Sequence, residues 1–249
     1  MIRRVESWSK QLDELCGRDV FGTRTGGYFR TYGTEYPGVS FYAQVSDDGV
    51  CTGVLSSAFG NGSLTVTSEA DLSEWTEFVR FVGMDSLLCA RETAQSIGLP
   101  ESDTGSVMWY SGSERIPKTK TVDPFDAAFS YREVYDLLLE CGFALGVYEV
   151  WLGDLALRVR RGTANVLASR EQTTVGTASV LFDSGSAVYL GAVATHPSAR
   201  GRGIGGDLVL RLAQCGKRAE ILCKAHRISF YKSLGFEKIG EFSQCHFSE

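Results

Sequence analysis

Glycine and arginine residues are concentrated in one short segment near the C-terminus. The segment contains Arg200, Gly201, Arg202, Gly203, Ile204, Gly205 and Gly206. A β-branched run precedes it and an apolar pattern with helical spacing follows it, which predicts a turn from a strand into a helix. Glycine N–H groups can approach a ligand closely where a helix leaves its first amides unpaired. The segment therefore predicts a phosphate site, and a pyrophosphate is the expected ligand.

The same glycines satisfy part of two other nucleotide-binding patterns. Gly201, Gly203 and Gly206 have the spacing of the dinucleotide fingerprint. In that fingerprint the first glycine turns directly off the strand, whereas residues 196–200 intervene here, and few residues follow the loop. A P-loop would need Lys-Ser or Lys-Thr after the last glycine, which this sequence lacks. Both patterns are therefore disfavoured, and an ordinary tight turn is the alternative to a phosphate site.

Alternation and helical spacing predict the elements that position this loop. A helix is expected at about 130–141, before four strands near 148–159, 163–170, 174–183 and 186–195. The loop then leads into a helix at about 204–215. A strand at 219–223, a helix at 227–234 and a strand at 236–246 are expected to complete the chain.

The N-terminal half has a similar predicted order of elements. Strands are expected at 39–46, 50–58 and 62–67, and a capping box at Asp71 and Glu74 predicts the start of a helix. A strand at 86–90, a helix at 91–97 and a strand at 105–110 follow. Residues 111–126 are poor in apolar side chains and contain two prolines, which is typical of a linker. We therefore divide the chain into residues 1–125 and 126–249.

Composition limits the class of protein. The 249 residues are 43% apolar and 22% charged, as in soluble globular proteins. The net charge of −5 disfavours a nucleic acid partner. The sequence predicts neither a signal peptide nor a membrane span. Seven cysteines without a Cys-x-x-Cys pair and three isolated histidines predict reduced thiols in a cytoplasmic protein with no metal site.

Two signatures resemble those of the GNAT acetyltransferase superfamily. Arg200-x-x-Gly203-x-Gly205, after a predicted strand, resembles its acetyl-CoA motif. The run from Phe230 and Tyr231 to Gly235 and Phe236 resembles its second signature. The resemblance covers residues 130–249. It implies an α/β (α+β) fold of two tandem acyl-CoA N-acyltransferase-like domains, each a mixed, mostly antiparallel sheet flanked by helices.

The resemblance also implies roles for the matched residues. The loop from Arg200 to Gly206 corresponds to the pyrophosphate loop for acetyl-CoA. The strand end that pairs with pantetheine through its main chain corresponds to Val193, Ala194 and Thr195, and a backbone N–H near Val193 is expected to receive the oxyanion. Tyr231 corresponds to the tyrosine that protonates the departing thiolate in many members. Packing against Phe230 and Phe236 is the alternative role for Tyr231.

The sequence departs from the family pattern at two places. Lys224 occupies a position where the family often has asparagine, which puts one cofactor contact in doubt. The strand at 186–195 contains no Asp or Glu, although many members have a general base there. A water chain or a residue of the N-terminal half is therefore expected to accept the proton.

The resemblance implies an N-acetyltransferase in which an amine attacks acetyl-CoA directly in a ternary complex. The acceptor is expected to be a small-molecule or peptide amine. A CoA-binding sensor without turnover is the alternative. In the N-terminal half, residues 65–71 lack glycine and arginine and contain Glu69 and Asp71, whose charges would repel a pyrophosphate. We therefore expect this half to be a degenerate repeat, and one chain to bind one CoA.

Overall fold

The computed structural model describes residues 1–247. The N-terminal half begins with a short strand and two helices, which are followed by three strands. A helix, a strand, a short helix and a last strand complete it. Its elements are β1 (Ile2–Arg4), α1 (Lys10–Cys16), α2 (Val20–Tyr32), β2 (Val39–Val45), β3 (Cys51–Ala58), β4 (Asn61–Val66), α3 (Leu72–Phe81), β5 (Ser86–Ala90), α4 (Arg91–Ser96) and β6 (Asp103–Tyr110).

The C-terminal half repeats this order of two helices, three strands, a helix, a strand, a helix and a strand. Short 3₁₀ turns precede its last two helices. The elements are α5 (Tyr131–Glu140), α6 (Tyr148–Arg160), β7 (Asn165–Arg170), β8 (Thr174–Asp183), β9 (Ala187–Thr195), α7 (Ile204–Ala213), β10 (Arg218–Cys223), α8 (Ile228–Lys232) and β11 (Phe236–His246).

The eleven strands within residues 1–247 form one sheet, in the order β1-β2-β3-β4-β5-β11-β6-β10-β9-β8-β7. Among these described strands, only β4 with β5 and β9 with β10 pair in parallel. The predicted mixed, mostly antiparallel sheet is therefore confirmed. The two halves exchange their last strands: β11 lies between β5 and β6, and β6 lies between β11 and β10. The division at residue 125 stays a prediction, because the two sequence halves share these strands in space.

Helices cover both faces of the sheet. The clusters around α3, α7 and α8 bury one set of strand side chains, such as Leu87 on β5 and Leu190 on β9. The clusters around α1, α2, α5 and α6 bury the alternate set, such as Leu88 and Ala194. The loop before α7 therefore belongs to one face, and α2 belongs to the other. Within residues 1–247, no helix is both long enough and apolar enough to cross a membrane.

Helices α1 and α2 were not predicted. The sequence of α2 is rich in Gly and Thr, which have low helix propensity. Its glycines allow close packing: a Cβ at Gly27 would lie 2.8 Å from the Phe182 Cβ, and one at Gly26 would lie 2.9 Å from the Ser184 Cβ. Thr31 in turn shares a hydrogen bond of 2.6 Å with Thr163. Burial against strands of both halves therefore stabilises a helix that local propensity does not predict.

The strand predicted at 148–159 is wrong, because these residues form α6. Apolar residues at every second position suggested a strand. In the helix, Leu155 and Val159 are one turn apart and both are buried. Arg158 and Asp154 form an ion pair with the same helical spacing.

Candidate active site

The predicted phosphate loop joins the end of β9 to the first turn of α7. Gly201 and Gly203 have φ angles of +76° and +81°, in the left-handed region that favours glycine. Gly203 is the N-cap of α7, which has no side-chain cap. The N–H of Asp207 is the first that bonds back into the turn, to the Gly203 carbonyl. The N–H groups of residues 204–206 therefore point out of the helix end, where an anion can accept their hydrogen bonds.

Gly205 and Gly206 bring this helix end against its neighbours. A Cβ at Gly205 would lie 2.9 Å from Thr195 Oγ1, and one at Gly206 would lie 3.0 Å from Leu234 Cδ2. Thr195 ends β9, and Leu234 belongs to the second predicted signature. The structure therefore places the two signatures next to each other.

Strands β9 and β10 separate beside the loop. Their parallel pairing ends at Leu190 opposite Ile221. On its other edge, β9 has a bulge against β8, where Ala192 has a φ of +49°. A bulge bends its strand, and the end of β9 has no partner on the β10 side within residues 1–247. This separated end contains the predicted pantetheine-binding residues Val193, Ala194 and Thr195.

The two predicted arginines lie on the exposed side of the loop. The Arg200 Nε donates to the Thr195 carbonyl over 3.2 Å. Arg202 pairs with Glu171. Both guanidinium groups are on long, flexible side chains at the end of the helix. Their positive charge adds to the partial positive charge of the exposed amide groups.

A third arginine, Arg115, reaches the loop from the segment between the two halves. Its Nη2 donates to Asp207 Oδ1 over 2.6 Å, and a Cβ at Gly203 would lie 3.2 Å from the same nitrogen. The guanidinium therefore lies at the N-terminus of α7. Arg115 was not predicted, because residues 111–126 resemble a linker. The acidic residue in the first turn of α7 is the signal that could have indicated a basic partner.

Asp207 also fixes the backbone of this segment. Its Oδ2 accepts hydrogen bonds of 2.9 Å from the backbone N–H groups of Lys118 and Thr119. Burial acts to raise the pKa of Asp207, but the hydrogen bonds from Lys118, Arg115 and Thr119 outweigh it and lower the pKa to about 2. The carboxylate is therefore ionised at neutral pH and holds Arg115 beside the loop.

Tyr231 lies on α8 with a buried ring. Its ring centroid is 5.0 Å from that of Phe230 and 5.8 Å from that of Phe236. The same cluster contains Leu190 and Val193 of β9. Burial raises the pKa of Tyr231. Within residues 1–247, no protein hydrogen bond to the hydroxyl contributes to this shift. The hydroxyl is therefore protonated at neutral pH and lacks a protein partner, although the ring is packed as the alternative role requires.

Lys224 contacts strand β6 of the other half. Its Nζ donates to the Thr104 carbonyl over 3.2 Å and pairs with Asp103. A lysine at this position therefore holds the exchanged strand in place.

A buried carboxylate, Glu220, lies on β10 next to the gap. It is opposite Tyr189 of β9, one pair before the strands separate. Arg218 donates to its Oε1 over 2.7 Å, whereas its Oε2 is buried without a partner in the part of the chain that the structure describes. Burial raises the pKa of Glu220 to about 7, although Arg218 acts in the opposite direction. Glu220 was not predicted from the sequence, because a single Glu in an apolar strand forms no recognisable motif.

The corresponding helix of the N-terminal half begins differently. The Asp71 carboxylate caps α3 by accepting hydrogen bonds from the N–H groups of Ser73 and Glu74. The hydrogen bond from the Ser73 hydroxyl, together with that from the Glu74 N–H, lowers the pKa of Asp71. A negative charge thus occupies the end of α3 that corresponds to the open end of α7.

Comparisons with known proteins agree with this arrangement. The model of the acetyltransferase (GNAT) domain family matches residues 162–238. This range includes the loop, the separated end of β9 and the second signature. The resemblance predicted for the C-terminal half is therefore confirmed, and these residues carry a GNAT domain. A comparison with curated proteins finds no match.

Solved structures share the fold of the whole chain. A tandem GNAT protein from the clavulanic acid biosynthesis pathway is 17% identical, with a TM-score of 0.59 and 100% of both chains covered. A GCN5-related N-acetyltransferase from Sphaerobacter thermophilus is 14% identical, with a TM-score of 0.60, covering 98% of this chain and 94% of that one. A GNAT family acetyltransferase from Colwellia psychrerythraea is 13% identical, with a TM-score of 0.53 and 100% of both chains covered. The predicted tandem fold is confirmed.

Proposed function

We propose that this chain, whose residues 162–238 carry a GNAT domain, is an N-acetyltransferase that uses acetyl-CoA and a small-molecule or peptide amine. One observation supports this most: the uncapped end of α7 is adjacent to the end of β9, which within residues 1–247 has no partner on its β10 side. The first suits a pyrophosphate, and the second suits an extended chain with amide groups. Acetyl-CoA contains both.

The residues around the gap have distinct proposed roles. The N–H groups of residues 204–206 bind the pyrophosphate, and Arg200, Arg202 and Arg115 neutralise its charge. The main-chain groups of residues 193–195 hold pantetheine, in the manner of an additional strand. Acetyl-CoA supplies a thioester that is activated toward amines.

The proposed reaction is direct attack of the amine in a ternary complex, without an acyl-enzyme. A main-chain N–H of the bulge at Val193 stabilises the negative charge that develops on the carbonyl oxygen. As the amine nitrogen bonds to the carbonyl carbon and the C–S bond breaks, the Tyr231 hydroxyl, which is protonated at neutral pH, donates a proton to the leaving thiolate. The proton that the amine nitrogen loses passes to a water chain or a residue of the N-terminal half. Neither role requires a cysteine nucleophile.

The N-terminal half has a separate proposed role. We assign residues 1–125 to a degenerate GNAT-like domain that lines the acceptor pocket and residues 126–249 to the catalytic domain. The Asp71 cap on α3 supports a single CoA site per chain. Contacts of α2 with β8 and β9 support an N-terminal contribution to the acceptor side of the sheet.

A CoA-binding sensor without turnover is the second candidate, favoured by the absence of a carboxylate on β9. Release of free thiol from acetyl-CoA, measured with amino acids, amino sugars, polyamines and a peptide N-terminus, separates the two. An N-acetyltransferase releases thiol at a rate that depends on the amine. Binding of CoA without thiol release from any amine would instead support the sensor.

A further inference from the structure

Arg24 is a partly buried cation without a carboxylate partner. It lies on α2, and no Asp or Glu side chain lies within ion-pair distance of it in residues 1–247. Its Nε is fully buried and has no hydrogen-bond partner in the described chain. One hydrogen bond, from Nη2 to the Tyr28 hydroxyl, is long at 3.5 Å. A guanidinium group is always charged, so this charge loses hydration without a compensating anion.

The groups around Arg24 are aromatic. Its guanidinium carbon is 5.6 Å from the ring centroid of Tyr28 and 5.7 Å from that of Phe182. Both distances are near the outer limit for a cation–π contact. The rings therefore provide a weakly polar wall for Arg24, but they do not neutralise its charge.

A second arginine on the same ring shows the contrast. Arg158 of α6 lies 5.0 Å from the Phe182 centroid, on the face of the sheet that α2 also covers. It is neutralised by Asp154, and it donates to the Leu181 carbonyl over 2.8 Å. The two cations near Phe182 therefore have one carboxylate between them, and Arg24 is the one that lacks a partner.

The position of Arg24 relates it to the proposed reaction. Tyr189 stacks on Phe182 and lies one pair before β9 and β10 separate. Burial raises the pKa of Tyr189, and the nearby Arg24 guanidinium acts against that effect. Tyr189 in turn contributes to the raised pKa of Tyr231. Tyr189 therefore packs beside Phe182 on the face of the sheet that α2 covers, next to the point where β9 and β10 separate.

We propose that Arg24 binds an oxyanion, a carboxylate or phosphate group, on the amine acceptor. The inference rests on the proposed function, because it names the acceptor class of the same site. The planar guanidinium group can hold both oxygens of a carboxylate or two of a phosphate. The acceptor is therefore an amine with an anionic group, such as an amino acid or an amino sugar phosphate, and its specificity comes from the N-terminal half.

Matched acceptors test the proposal on the unmodified protein. Each L-amino acid is compared with its α-amide, and glucosamine 6-phosphate is compared with glucosamine, because each pair differs in the oxyanion and keeps the amine. We expect the best acceptor to contain the oxyanion and its partner to lose ~10- to 100-fold in kcat/KM. The pair that responds distinguishes carboxylate from phosphate. A neutral amine or a polyamine as the best acceptor would overturn the proposal.

Variants separate recognition from packing. Arg24→Gln should raise KM for the anionic acceptor ~10- to 100-fold, with kcat and the KM of acetyl-CoA near the wild-type values. The preference between paired acceptors should disappear, and Arg24→Lys should retain part of it.

Arg30→Gln, at an exposed position of α2, is the matched control and should preserve the preference. A lower Tm with an unchanged preference would show that Arg24 is structural. If Arg24→Gln does not fold, the acceptor pairs decide alone.

A binding measurement keeps the test separate from the proposed function. If no amine releases thiol, the acetyltransferase proposal fails. Thermal stabilisation by the same acceptor pairs, with CoA present, then tests Arg24 alone. Stabilisation by the anionic member that Arg24→Gln abolishes supports the oxyanion site. Equal or absent stabilisation by both members overturns it.

Discussion

Tyr231 has a packed ring, and its hydroxyl has no protein hydrogen-bond partner among residues 1–247, so the ring and the hydroxyl can be tested separately. Tyr231→Phe retains the ring contacts with Phe230 and Phe236. We expect kcat to fall by ~10² to 10⁴ while the affinity for acetyl-CoA is retained, because the variant loses only the proton donor. Steady-state kinetics measures both. Tyr110→Phe, which removes another hydroxyl beside Phe236, is the control. An unchanged kcat would assign Tyr231 to packing.

Glu220 gives the protein a dependence of stability on pH. Its pKa of about 7 lies above the ordinary glutamate value, so the folded chain holds the proton more tightly than the unfolded chain. The stabilisation that protonated Glu220 contributes is therefore complete below about pH 4.5, and it is lost as the pH rises through about 7. Glu220→Gln mimics the protonated acid. It should exceed the wild type only slightly at pH 5, by under about 1 kcal/mol, and by up to ~3 kcal/mol at pH 8.

Thermal unfolding of both chains across this pH range is the measurement. Arg218 and Asp19 are the charged groups that also affect Glu220, and both are unchanged in the variant. Glu77→Gln, at an exposed position of α3, controls for the loss of one charge. A difference in stability that is the same at pH 5 and pH 8 would contradict the prediction.

The first turn of α7 is the element on which cofactor binding depends. Gly203→Val places a β-branched side chain at a φ of +81° and beside Arg115. We expect it to abolish the thermal stabilisation by CoA, which for the wild type is ~2.7 kcal/mol at 100 times Kd. Gly216→Val has the same backbone strain, at a φ of +78°, but lies beyond the other end of α7. Stabilisation by CoA should persist in that control. If it also persisted in Gly203→Val, the loop would be excluded as part of the CoA site.

Elements with strong local signals were predictable from the sequence. The pair Asp71 and Glu74 located the start of α3, where Asp71 is the N-cap although the Glu74 carboxylate bonds to Gln44 and Ile2 instead of closing a capping box, and the glycine loop located the start of α7. α2 and α6 were not predictable, because tertiary packing outweighs the propensity of a Gly- and Thr-rich helix and the misleading alternation in α6. Arg115 and Arg24 were missed for a related reason. Both reach their sites from distant segments, and no local pattern encodes such contacts.

At the scale of the whole molecule, one chain should bind one CoA. Asp71 occupies the helix end in the N-terminal half that corresponds to the open end of α7. Calorimetric titration of the full chain should give a stoichiometry of ~1, since a carboxylate at a helix end repels a pyrophosphate. Two sites per chain would contradict the degenerate-repeat hypothesis.

The exchange of strands makes each half incomplete alone. A fragment of residues 126–249 lacks β6, which separates β10 from β11 in the full chain. It also lacks α2, which covers β8 and β9. We expect this fragment to lose cooperative unfolding and acetyl transfer, as measured by circular dichroism and thiol release. Full kcat in the fragment would exclude a role of the N-terminal half in the acceptor pocket.

The position of β11 also sets an order of events during synthesis. β5 leaves the ribosome early, but its neighbour β11 is formed by residues about 150 positions later, with Phe242 opposite Ala90. Until then the hydrogen-bonding edges of β5 and β6 that later pair with β11 are open, and open strand edges favour aggregation. The N-terminal half therefore cannot complete its part of the sheet until residues 236–246 have been synthesised, which is later than for a domain whose strands are all contiguous in sequence.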